Sequence, residues 1–170
     1  MTRRAEESAP PATREDPEQR ARNICLRLLT GRSRTRRQLA DALRERDIPE
    51  EAAELVLDRF TEVGLIDDAA FARAWVESRH RNRGLSRMAI ARELRAKGVD
   101  GVLVEEAVSA VDSDDEETAA RALVDRKLRS TAGLEYPKRV RRLAGMLARR
   151  GYSEGMALRV VRRALEEEAP

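Results

Sequence analysis

The chain has little with which to staple, stack or coordinate. It holds one cysteine, Cys25, in 170 residues, so no disulfide can form within it, and a reducing cytoplasm is the compartment that fits. It holds one histidine, His80, set among arginines, so no His/Cys metal spacing exists. Aromatic residues are 3 % of the chain: Phe60, Phe71, Trp75, Tyr136 and Tyr152. A row of stacking platforms for single-stranded nucleic acid is therefore absent. Lysine occurs only at positions 97, 127 and 138. No apolar run reaches 18 residues, which excludes a helical membrane span. Met1-Thr2-Arg3-Arg4 is followed by acidic, Pro-rich sequence and no apolar stretch, unlike a secretory signal. No Gly-rich phosphate loop, nucleophile elbow or paired catalytic carboxylates can be picked out.

What is present is charge, 38 % of all residues, and it is sorted along the chain. Residues 20–37 carry seven Arg and no acid, and residues 41–68 carry ten acids and three Arg. Residues 79–97 hold six Arg and Lys97 against Glu93 alone; residues 100–117 hold eight acids and no base. Residues 126–150 swing back, with nine bases against Glu135. A net charge of +3 conceals this alternation. Such sorting predicts a basic and an acidic surface, and so a binding protein with charged partners.

The apolar residues recur at helical spacing, with no alternating strand pattern of useful length. Residues 1–19, with Pro10, Pro11 and Pro17, read as a disordered tail. Nine helices follow, punctuated by Gly31, Gly64, Gly98 and Gly151. Asp67, Ser86, Asp100 and Ser153 are expected N-caps, and Ser113 with Glu116 an expected capping box. One triad recurs: Leu39, Leu43, Ile48; then Ile90, Leu94, Val99; then Leu143, Leu147, Tyr152. Each triad joins a helix end to the start of the next helix, which would close a small core from two sides. The fold expected is all-α: three tandem three-helix-bundle repeats forming an elongated rod, curved to the right or the left. Their bounds are 20–66, 67–112 and 113–168. The competing arrangement is one nine-helix globule. Cys25, Phe60, Phe71 and Trp75 are expected in the cores.

The string Gly64-Leu65-Ile66-Asp67-Asp68, then Phe71-Ala72, Trp75-Val76, Arg79, Gly84, Ile90 and Glu93-Leu94-Arg95-Ala96-Lys97-Gly98-Val99 resembles the RecX family, regulators of the RecA recombinase. The resemblance covers about residues 20–168. It implies three three-helix modules and a partner, the RecA–DNA filament, whose ATP hydrolysis, strand exchange and SOS co-protease activity are inhibited. It implies no cofactor and no catalytic residue. The third unit departs from the pattern: Asp112-Ser113-Asp114-Asp115 replaces Leu-Ile-Asp-Asp, and the loop Arg129–Pro137 is longer.

The residues expected to meet the partner form a basic stripe: Arg32, Arg34, Arg36, Arg37; Arg79, Arg81, Arg83, Arg87, Lys97; Arg139, Arg141, Arg142. Arginine forks grip phosphate or carboxylate oxygens in pairs. DNA phosphates within the filament are the expected counter-charge, for a cytoplasmic monomer. The third helices of units one and two are acidic (Glu50, Glu51, Glu54, Asp58; Glu105, Glu106), which argues against helix insertion into the DNA major groove. Two other readings remain at this stage: a repeat protein that binds DNA directly, and a helical scaffold for an acidic protein.

Overall fold

The computed structural model describes residues 14–168. Residues 1–13 of the expected tail lie outside that range. Within it, α1 (Pro17–Gly31), α2 (Arg36–Glu45) and α3 (Glu50–Glu62) form module 1. Next, α4 (Asp68–Arg83), α5 (Arg87–Ala96) and α6 (Gly101–Val108) form module 2. Finally α7 (Ser113–Leu128), α8 (Tyr136–Arg149) and α9 (Glu154–Glu168) form module 3. The first helix begins at Pro17, so residues 17–19 are helical rather than tail. Pro17 is preset for a first helical turn, and Glu18 faces its positive dipole end.

Each module has its own core. Ala21, Cys25, Leu39, Leu43, Val56, Leu57 and Phe60 meet in the first. Ala72, Val76, Ile90, Leu94, Val104 and Val108 meet in the second, and Ala120, Val124, Leu143, Leu147, Val160 and Val161 in the third. All three recurring triads are buried. No residue belongs to two cores, and every extensive helix pairing lies inside a module. A single nine-helix globule is thereby excluded. Cys25 is fully buried, and burial pushes its thiol pKa up to about 11.

Sequence differs from structure at one cap and one aromatic pair. The box opening α7 is Asp112 with Asp115, one residue before the expected Ser113 and Glu116. A carboxylate at Asp112 accepts from the Asp115 amide at 2.8 Å. Glu116 is instead buried and turned toward module 2. Phe71 and Trp75 are half-buried rather than central: their rings stack at 5.7 Å over the edge of the second core.

The modules are joined by one latch, used twice. At the first junction the N-cap of α2, Thr35, donates its hydroxyl to the Lys97 carbonyl at 2.7 Å. The next amide, Arg36 N–H, donates to Asp68 of α4 at 2.9 Å. At the second junction the N-cap of α5, Ser86, donates its amide to the Arg150 carbonyl at 3.1 Å. Arg87 N–H then donates to Glu116 of α7 at 2.7 Å. Tyr152 adds a hydroxyl bond to the Gly84 carbonyl at 2.7 Å. In both cases the start of one second helix sits on the end of the next module's second helix. The orphan amides of a helix start are thus satisfied by the neighbouring module.

This latch explains the choice of residue at three left-handed positions. Asp47, Gly98 and Gly151 close the three second helices at φ 57°, 84° and 89°. A Cβ at Gly98 would stand 2.3 Å from the Arg37 side chain, and one at Gly151 would stand 2.5 Å from Ser86 Oγ. Module 1 has no module latched onto its stop, and there the chain uses Asp. At these three stops, glycine appears at the two where a neighbour presses on the turn.

Candidate docking surface

The eleven arginines and one lysine of the expected stripe separate into two groups. Five are committed inside the molecule. Arg36 bonds Glu54 and Asp58, each at 2.7 Å. Burial opposes its charge, but the hydrogen bonds to Asp58 and then Glu54 outweigh that and raise the guanidinium pKa. Arg87 pairs with Glu116 at 3.4 Å as part of the second latch. Arg139 reaches Thr131 Oγ1 at 3.1 Å, the Leu128 carbonyl at 3.2 Å and Glu168 at 2.6 Å, so it fastens the long loop of module 3. Arg79 lies 4.0 Å over the Trp75 ring with Glu93 at 3.2 Å. Arg34 donates to the Leu28 carbonyl at 3.3 Å.

Six of the others face outward, and Lys97 is half-buried. Arg32, Arg37, Arg83, Arg141 and Arg142 are exposed and stand in no ion pair among the described residues. Arg81 pairs only with Glu77 one turn back, at 3.1 Å and with three-quarters of its side chain in water. Such a pair is worth about 0.2–1 kcal/mol and yields readily to a stronger anion. Lys97 caps the Trp75 ring at 4.4 Å, and the indole N–H donates to Glu93 at 2.8 Å. This cluster lies beside the first latch, with Gln38 of module 1 on its rim.

The charge sorting seen along the chain is therefore partly neutralised within modules. Basic second helices lean on acidic third helices, as Arg36 does on Glu54 and Arg95 on Glu105. Part of what remains uncompensated lies at helix ends and junctions. There the structure adds three arginines that the stripe omitted. Arg126, Arg149 and Arg150 meet Arg83 around a groove of about 510 Å³ between modules 2 and 3. Arg126 and Arg149 are 43 and 66 residues from Arg83, so no local spacing could have joined them.

Among the described residues no cluster of three His, Cys, Asp or Glu could hold a metal ion, and no helix is long and apolar enough to cross a membrane.

Comparison with known proteins returns one family throughout. The first, second and third three-helix domains of RecX match residues 21–60, 67–108 and 114–161. Over 165 residues the chain is 70 % identical to "Regulatory protein RecX" of Streptomyces lividans, covering 97 % of this chain and 86 % of that one. To the protein of the same name from Thermobifida fusca it is 59 % identical over 157 residues, covering 92 % and 85 %. The crystal structure of RecX from Lactobacillus salivarius superposes with a TM-score of 0.81 at 20 % identity, over 89 % of this chain and 98 % of that one. A second crystal structure of a regulatory protein RecX gives 0.76 at 24 % identity, over 90 % and 73 %.

Proposed function

The chain belongs to the RecX family, and from that premise we propose that it is a non-enzymatic regulator that docks along the RecA–DNA filament and inhibits it. The observation that carries the reading is the match of all three domains to relatives named as regulatory proteins. The architecture supports it. Three small modules, each latched to the next, hold several cationic patches at set positions along one body. Many weak contacts made together give avidity that no single patch supplies. The exposed Arg32, Arg37, Arg81, Arg83, Arg141 and Arg142 are the proposed contact residues, facing DNA phosphates or acidic filament surface. The committed Arg34, Arg36, Arg79, Arg87 and Arg139 keep the modules and latches in shape behind them.

A body spanning neighbouring filament subunits hinders the cycle that extends and turns over the filament. ATP hydrolysis, strand exchange and SOS co-protease activity then fall together. The protein is proposed to act in the cytoplasm, as a monomer and without a cofactor. RecA ATPase measured on single-stranded DNA with rising amounts of this protein tests the reading. A steep fall at substoichiometric protein is expected; no change at excess protein contradicts it.

A further inference from the structure

The groove between modules 2 and 3 carries a site of its own. Asn82 and Arg83 from the end of α4, Arg126 from the last turn of α7, and Arg149 with Arg150 from the end of α8 surround it. Leu85 and Leu123 form its floor. No carboxylate lines it, and none of the four arginines stands in an ion pair among the described residues. Elsewhere in this chain an arginine near a neighbouring helix has usually found an acid. Here four like charges converge without one.

Two structural explanations are available, and neither suffices. The first is that arginines collect at helix C-termini to meet the dipole. Three helices do end here, but each end offers only about half a negative charge, so the four guanidiniums keep a surplus of about two and a half. The second is that the latch needs them. The molecule contains its own control for that. Aligned by core positions, Ala72 with Ala120 and Leu94 with Leu147, Arg126 corresponds to Ser78 and Arg149 to Ala96 at the first junction. That junction is latched with a serine and an alanine at these places. Only Arg150 has a duty in the second latch, through its carbonyl to Ser86 and its side chain to the Arg83 carbonyl. That duty also fixes where its guanidinium lies.

We propose that this groove is a binding site for the phosphodiester backbone of a nucleic acid strand. Guanidinium forks match phosphate oxygens in pairs, and several in one groove hold successive phosphates. A docked acidic peptide is the rival occupant. Peptide docking relies on an aromatic or aliphatic anchor sunk in a pocket. Here Leu123 is already buried and Leu85 half-buried, so the groove offers charge and no exposed large apolar side chain or deep pocket for such an anchor. The site does not depend on the recombinase reading, because it concerns bare nucleic acid.

The test is fluorescence anisotropy of a labelled 30-mer single strand and of its duplex, titrated with the full chain at several salt concentrations. The variants are Arg126→Glu with Arg149→Glu, and the milder Arg126→Gln with Arg149→Gln. The comparison pair is Arg44→Glu with Arg59→Glu, two exposed arginines of module 1 that pair only within their own helices. Circular dichroism confirms folding of each. The groove pair is expected to weaken binding at least about tenfold and to lower the salt slope by about 2, with the Gln pair intermediate and the comparison pair much smaller. Equal losses in the groove and comparison pairs, or no binding of bare strand by the unaltered chain, overturn the proposal. Competition by polyglutamate as strong as by DNA of equal charge also overturns it, in favour of an acidic peptide.

Discussion

Replacing Gly151 by alanine should open the second junction, and the structure sets the size of the effect. Gly151 sits at φ 89°, where an L-residue costs about 1–2 kcal/mol. Its new Cβ would also stand 2.6 Å from Ala89 Cβ and 3.2 Å from the Ala89 amide nitrogen. Neither neighbour is a flexible side-chain end; both belong to the first turn of α5. Overpacking of that kind costs about 1–3 kcal/mol more. The expected loss is therefore about 2–5 kcal/mol. Gly64 supplies the reference, since it has φ 80° with open space beside it, so its alanine variant loses only the backbone part. Gly98→Ala should cost about as much as Gly151→Ala, because Arg37 Cβ, fixed to the first turn of α2, would stand 2.5 Å from the new carbon. Urea titrations followed by far-UV circular dichroism read the ranking. Because the cores are separate, the Gly151 variant should show an early transition confined to part of the signal. Inhibition of RecA ATPase should weaken in the same variant at urea-free conditions, since the modules no longer hold one relative placement. If Gly151→Ala and Gly64→Ala destabilise equally, the latch is not the close-packed contact described here.

Other consequences can be checked with equally simple measurements. Tyr152→Phe removes the hydroxyl bond to the Gly84 carbonyl and should cost about 1 kcal/mol in the same urea assay, with secondary structure unchanged. Arg36→Ala should cost about 1 kcal/mol through its two half-exposed ion pairs, whereas Arg32→Ala should leave stability within about 0.5 kcal/mol and act only on partner binding. Cys25 should resist a thiol reagent at pH 8 in the native chain and react fully in urea; fast native labelling would contradict its burial. Alkaline stability follows from the two raised groups. Cys25 moves from 9.0 to about 11 and Tyr152 from 10.0 to about 12, both by burial first. A folded-state pKa above the unfolded value means the unfolded chain releases its proton first. The stabilisation is complete below pH 9 and is lost as pH rises toward 12, so melting temperature should hold to about pH 8.5 and fall beyond it.

The fold was legible because each module repeats a pattern tied directly to burial. Leu39, Ile90 and Leu143, with their partners four residues on, are core residues for the same reason at each position. The charge map was less legible. Sequence spacing shows that Arg36 and Glu54 have opposite signs, but only packing shows that α2 leans on α3 and joins them. The cap of α7 was misplaced by one residue because Glu116 fits a capping box on local grounds, while a longer-range demand, the amide of Arg87, recruits it. The latch has no local signature at all. Its one trace in sequence is the replacement of Gly98 and Gly151 by Asp47 at the stop that no neighbour covers. The four-arginine groove depends on residues from α4, α7 and α8 and could not be assembled before the helices were placed.

Sedimentation of this protein with RecA assembled on single-stranded DNA, beside RecA kept free by omitting DNA and nucleotide, bears most directly on the whole account. Saturable pelleting with the assembled filament, and none with free recombinase, is the expected result. Recovery in the supernatant with both would contradict docking along a filament.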